Sequence, residues 1–94
     1  MKIDNIKEFL SSCPIMNRGK ELIEVIHIRA HELGIEKEIT CKISSNILPC
    51  LALTPGFVMN KDVQIQPEYV CGTYNNITFI MSAYLNNSID ILET

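Results

Sequence analysis

The sequence predicts an α+β fold, with two N-terminal helices packed on one face of a four- to six-stranded antiparallel, meander-like sheet. Three observations predict it. Apolar residues recur at helical spacing up to Gly34, then alternate or run together beyond it. Gly34 itself stands where a helix needs a left-handed residue to end. Glu68 to Leu85 reads as two strands around Asn75-Asn76, a pair that tolerates the positive φ of a tight hairpin turn. The 94 residues then form a single domain, with 1–34 its helical part and 35–94 its β part.

From Lys2 to Leu10, Ile3, Ile6 and Leu10 share one face and Asp4 and Glu8 the other, which places the first helix there. Ser11-Ser12 and Cys13-Pro14 end it, because the residue before a proline is pushed out of helical geometry. Asn17 fits as N-cap of the second helix, with Glu21 and Glu24 near its positive end; a start at Pro14 is the other option. The second helix ends near Leu33. Leu22, Ile26, Ala30 and Leu33 form its apolar stripe, widened by Ile23, whereas Val25 and Ile28 fall outside it.

Beyond Gly34, Ile39, Cys41 and Ile43 alternate with Glu38, Thr40 and Lys42, as in a half-buried strand. Ser44-Ser45-Asn46 reads as a turn. Ile47 to Leu53 is apolar on both faces and contains Pro49. It reads as a strand with an irregular start, a short helix capped by Asn46 being the alternative. Thr54-Pro55-Gly56 turns, and Phe57 to Met59 and Val63 to Ile65 are strand-like on either side of Asn60-Lys61-Asp62. In the return strand of the hairpin, Ile77, Phe79, Met81, Ala83 and Leu85 face one way, and Thr78, Ile80, Ser82 and Tyr84 the other. Asn86-Asn87-Ser88 turns into a last strand, Ile89 to Leu92.

Composition narrows the function. The hydrophobic fraction is 47%, with three Tyr, three Phe and no Trp, and the mean hydropathy is +0.14. A chain this size buries roughly 60–65% of its unfolded surface, so the core is thin and a partner or second copy would add to it. Net charge is −3 and the eight Lys and Arg are scattered, so no direct binding to nucleic acid is expected. The apolar run Ile47 to Met59 is short and broken by Pro49 and Pro55, so no membrane association is expected. No apolar run follows Met1 to Lys7. The four cysteines are therefore expected as reduced core thiols of a cytoplasmic protein.

Glu24, His27 and His31 form the sharpest chemical constellation. Histidines four apart lie on one helix face, and Glu24 lies one turn earlier. They are weak metal-ligand candidates, because two exposed histidines need further ligands that the spacing does not supply; a solvated or partner-facing surface is the favoured reading. No cofactor is expected. His27-Ile28-Arg29-Ala30-His31 lacks the glutamate of the zinc-protease pattern. No cysteines form a Cys-x-x-Cys pair, and Cys13 has no histidine aligned on it. The glycines stand alone, so there is no phosphate loop, and there is no Gly-x-Ser-x-Gly elbow. The chain is not expected to be an enzyme.

The expectation is a small protein-binding regulator, an inhibitor or adaptor that occupies a surface of a larger protein or complex. Val25 and Ile28 on the helix, and Ile80 and Tyr84 on the sheet, are apolar residues left over after the core is assigned. Tyr69 and Tyr74 join them as candidate partner-binding residues, since tyrosine offers large contact area; a place at the edge of the core suits them equally. Small size, acidity and many isoleucines and asparagines are shared by products of phages and mobile elements of AT-rich genomes. On that association the partner is a host defence or nucleic-acid-processing machine. A homo-oligomeric structural component is the alternative. A metal-binding protein using Glu24, His27 and His31 ranks below both.

Overall fold

Pairing between strands far apart in the sequence sets the architecture. The computed structural model describes residues 1–62 and 65–93. In chain order the elements are β1 (Lys2–Ile3), α1 (Ile6–Ser11), α2 (Arg18–Glu32), β2 (Ile39–Ile43), α3 (Leu48–Ala52), β3 (Val58–Met59), β4 (Glu68–Tyr74), β5 (Ile77–Ser82) and β6 (Ile89–Ile91). The strands form one six-stranded sheet in the order β1-β6-β2-β5-β4-β3. This is an α+β fold, but the sheet is mixed rather than an antiparallel meander. β2 lies parallel to β5, with Ile39 opposite Ile77 and Ile43 opposite Met81, and antiparallel to β6. Alternation determines which residues face inward; it carries no information about which strand lies alongside, or in which direction.

The first helix is shorter than its apolar spacing predicts. Lys2–Ile3 instead pair with Ile89 and Asp90 of β6, and Asn5 turns the chain at φ 60°. Asn5 makes no side-chain cap on α1. The cap comes from the far end of the chain. Asn87 accepts the Ile6 N–H at its carbonyl (3.2 Å) and the Lys7 N–H at Oδ1 (2.6 Å). Its Nδ2 donates to Glu8 Oε2 at 3.0 Å, and this bond holds the Glu8 carboxyl below the usual carboxylate range.

A 3-10 turn, Ile15–Asn17, leads into α2, and Asn17 occupies the N-cap position without a side-chain cap bond. The C-terminal end follows the sequence reading closely. Gly34 takes φ 79°, its N–H donates to the His31 carbonyl (3.0 Å), and the Ile35 N–H donates to the Ala30 carbonyl (2.9 Å). These two bonds satisfy carbonyls that the helix itself leaves open.

The segment 47–53 is helical, not a strand. A 3-10 turn, Ser45–Ile47, runs into α3, and Pro49 lies in its first turn, where a missing N–H costs nothing. Asn46 does not cap α3; it accepts the Ser44 hydroxyl. Helix and sheet are therefore not segregated at Gly34: β1 lies before it and α3 after it. The β4–β5 hairpin turns at Asn75, φ 50°, with Tyr74 opposite Ile77, and a bulge falls between Val70 and Gly72. β5 ends at Ser82, so Ala83 and Tyr84 lie in a turn. Val63 and Gln64 lie outside the described residues, and Ile65 is exposed and in no strand.

The core is the helix-facing side of the sheet. Ile39, Cys41, Ile43, Ile77, Phe79, Ile89 and Ile91 meet Ile6, Leu10, Leu22, Ile23, Ile26, Ile47 and Leu51. The helical contribution comes from all three described helices, not from two N-terminal ones alone. Leu22→Ala or Ile26→Ala is expected to cost about 2–5 kcal/mol in urea unfolding, since each side chain is fully buried; a loss under about 1 kcal/mol would remove that residue from the core. The core also sets an alkaline limit. Burial, and secondarily Asp90, push the Cys41 thiol from 9.0 up to about 12. Below 9.0 the thiol is protonated whether the chain is folded or not; between 9.0 and about 12 only the unfolded chain releases the proton, so stability falls as pH rises through that window. Cys41→Ala should flatten that part of the curve of urea midpoint against pH.

Candidate functional site

A glycine inside a helix costs about 1 kcal/mol relative to alanine, so Gly19 needs a reason. The reason is α3. A β-carbon at position 19 would fall on Thr54 Oγ1 and lie 2.7 Å from the Cys50 carbonyl oxygen. The first turn of α2 and the C-terminal end of α3 therefore approach backbone to backbone. The Thr54 hydroxyl donates to the Cys50 carbonyl (2.9 Å), and Arg18 Nε donates to the Cys13 carbonyl (3.4 Å).

Around this contact the two segments enclose a groove of about 470 Å³. Ile15 and Met16, from the turn before α2, line one part of it. Pro49 and Cys50 from α3, with Leu53 and Pro55 beyond its end, line another. Met16 is 96% exposed, Leu53 80% and Ile15 73%. Burying one such side chain stabilises by roughly 1.5–3 kcal/mol, so a cluster left in water marks a contact surface, whereas a single one does not. Ile28 is such a single case: exposed on α2, with charged Glu24 and Glu32 on the neighbouring turns. Arg18 is the one charged residue lining the groove.

The structure does not gather the residues that the sequence singles out. Val25 is half-buried and Ile28 exposed on α2, in the helical layer. Ile80 lies on the opposite side of the molecule, on the sheet face that no helix covers, beside Lys42 and Val70. Tyr84 stands exposed in the turn after β5. Tyr69 and Tyr74 are half-buried and pack against the core. Glu24, His27 and His31 are all exposed on α2, and among the described residues no three His, Cys, Asp or Glu side chains converge as metal ligands. All four thiols are free; Cys41 and Cys71 are buried, Cys13 and Cys50 half-buried.

The uncovered sheet face is largely polar. Thr40, Thr78 and Thr73 align across β2, β5 and β4. Lys42 Nζ lies 3.0 Å from Glu68 Oε2, and the Ser82 hydroxyl donates to the same oxygen (2.6 Å). The Ser82 bond first, and Lys42 second, hold the Glu68 carboxyl below the usual range. A second depression, of about 440 Å³, is lined by Leu33 to Glu38 and Glu93; its carboxylates are exposed and solvated.

The groove residues carry little sequence signal. Ile15 and Met16 fall between the two predicted helices or in the first turn of the second, and Leu53 reads as the end of a strand. Gly19 was the available clue: a glycine with no turn to make, inside a helical stretch, implies a close backbone approach. No protein-family model, curated protein or solved structure matches this chain. Among the described residues, no helix is long and apolar enough to cross a membrane.

Gly19→Ala tests the contact that shapes the groove. On propensity alone alanine would stabilise α2 by about 1 kcal/mol. The collision with Thr54 and the Cys50 carbonyl is expected to reverse the sign, giving a loss of about 1–3 kcal/mol in thermal or urea unfolding. A stabilised variant would show that α3 does not press on α2 there.

Proposed function

We propose that this chain is a non-enzymatic, cytoplasmic binding protein that acts by docking on a larger protein through the groove between α2 and α3. The observation that carries this reading is the clustering of Ile15, Met16 and Leu53, all largely exposed, around one concave surface. The groove offers a recess for an apolar anchor, and its exposed walls supply the surrounding contact, the arrangement found at the centre of protein interfaces. The flat, polar face of the sheet has its charges paired within the chain and offers less to a partner.

The test is affinity capture from the source cell or its host, with total mass read by light scattering. Wild type should retain one stoichiometric partner. Leu53→Asp and Met16→Asp should weaken that complex by roughly tenfold or more while leaving the melting temperature unchanged, because both side chains are exposed. Ile80→Asp and Tyr84→Asp should leave it intact. The opposite pattern moves the interface to the open sheet face. A defined homo-oligomer without a partner overturns the reading.

A further inference from the structure

We infer that the segment docking in this groove carries a carboxylate side chain next to its apolar anchors. This rests on the groove being the docking site. Arg18 is the only charged residue lining it, and the residue is half-buried. Its Nε is fixed on the Cys13 carbonyl, and among the described residues no carboxylate lies within ion-pair distance of it. Arg29, by contrast, is paired with Glu32 at 3.0 Å, and Lys42 with Glu68 at 3.0 Å. The other side-chain cations without carboxylate partners among the described residues are exposed lysines, none of which lines the groove.

A partner that closes over the groove strips water from Arg18. A purely apolar partner would leave the guanidinium desolvated and unpaired, which is costly. A carboxylate instead meets the planar fork of donors with charge-assisted hydrogen bonds. The requirement therefore selects among apolar partners rather than merely adding to affinity. The net charge of −3 does not cancel this preference, since salt at 0.1 M screens charges more than about 10 Å away and the contact is local. The occupant is a protein segment rather than a small acid. Met16 and Leu53 are too exposed to envelop a small molecule, whose sites bury most of the ligand surface.

The experiment is selection of a random displayed-peptide library on the full chain, run in parallel on wild type, Leu53→Asp, Arg18→Gln and Arg18→Glu, each checked for folding by circular dichroism. Wild type should enrich peptides that combine apolar residues with Asp or Glu. Leu53→Asp should lose them. Arg18→Gln should weaken them by roughly tenfold. Arg18→Glu should enrich Lys or Arg in place of the acid. Peptides that depend on Leu53 but show no acidic preference, or that bind Arg18→Gln unchanged, overturn the carboxylate while the groove stands. Peptides indifferent to Leu53→Asp overturn the groove itself. A wild-type dimer that Leu53→Asp dissolves makes a second copy the occupant and also overturns the proposal.

Discussion

The parallel pairing of β2 with β5 is the constraint from which the rest of the structure follows. Parallel neighbours cannot be joined by a hairpin, so the chain must leave the sheet after Ile43 and cross over it. The crossover holds α3, and it delivers the chain to β3 at the far edge, from which β4 and β5 return as antiparallel neighbours. α3 lands on the helical layer, where α2 already covers the sheet. The two come close at Gly19, where α2 has no side chain. The groove is thus a by-product of topology. It exists because a crossover helix meets the start of an earlier helix, and their flanking turns carry apolar residues that neither stripe absorbs.

The two broad surfaces of the molecule differ because their polar groups are satisfied differently. On the uncovered sheet face, Lys42, Glu68 and Ser82 form a closed set, and threonines line the adjoining row. Such a face is stable in water, its apolar members being the cross-strand pair Ile80 and Val70 and, at the edge, Val58 opposite Thr73. At the groove the balance is reversed. The apolar side chains are exposed, and the one charge is satisfied only through a single long bond to a backbone carbonyl. One surface is finished within the chain and the other is not. That difference is why the proposed interface is the groove and not the sheet face.

What could be read from the sequence was local. The Gly34 terminus needed only a left-handed glycine and Ile35 packing back, and the β4–β5 turn needed only Asn75. The inward faces of β2 and β5 followed from alternation alone. The larger differences concern partners distant in sequence. Two residues of β1 carry no period, and their strand identity comes wholly from pairing with β6. Asn87 caps α1 from the other end of the chain and Asn5 makes no side-chain cap, so nothing local marks where the helix begins. The segment 47–53 is apolar on both sides as a buried strand would be, and Pro49 suits a strand edge or a first helical turn equally. Only the packing of Ile47 and Leu51 into the core decides between them. Because the groove is made by α3, misreading that segment also hid the site.

A helix of five residues has no stability of its own in water, because the cost of nucleating a turn is not recovered over so short a length. α3 therefore persists only through what it buries. Ile47, at its entrance, and Leu51 are both fully buried, and the close contact at Gly19 holds its far end. Leu53, one residue past its last turn, faces water. The groove wall is consequently anchored by one set of side chains and presents another. Residues that face into the core determine whether the wall is there, and residues that face outward are those the proposed partner would meet. Gly19 belongs to both sets: filling its space displaces the wall and alters the groove together. Arg18, its neighbour, is tied to the Cys13 carbonyl rather than to the core, so its charge is separable from the fold. On the proposed reading, sequence change at Met16, Leu53 or Arg18 alters the docking surface at little expense to the fold, whereas change at Gly19 also lowers stability.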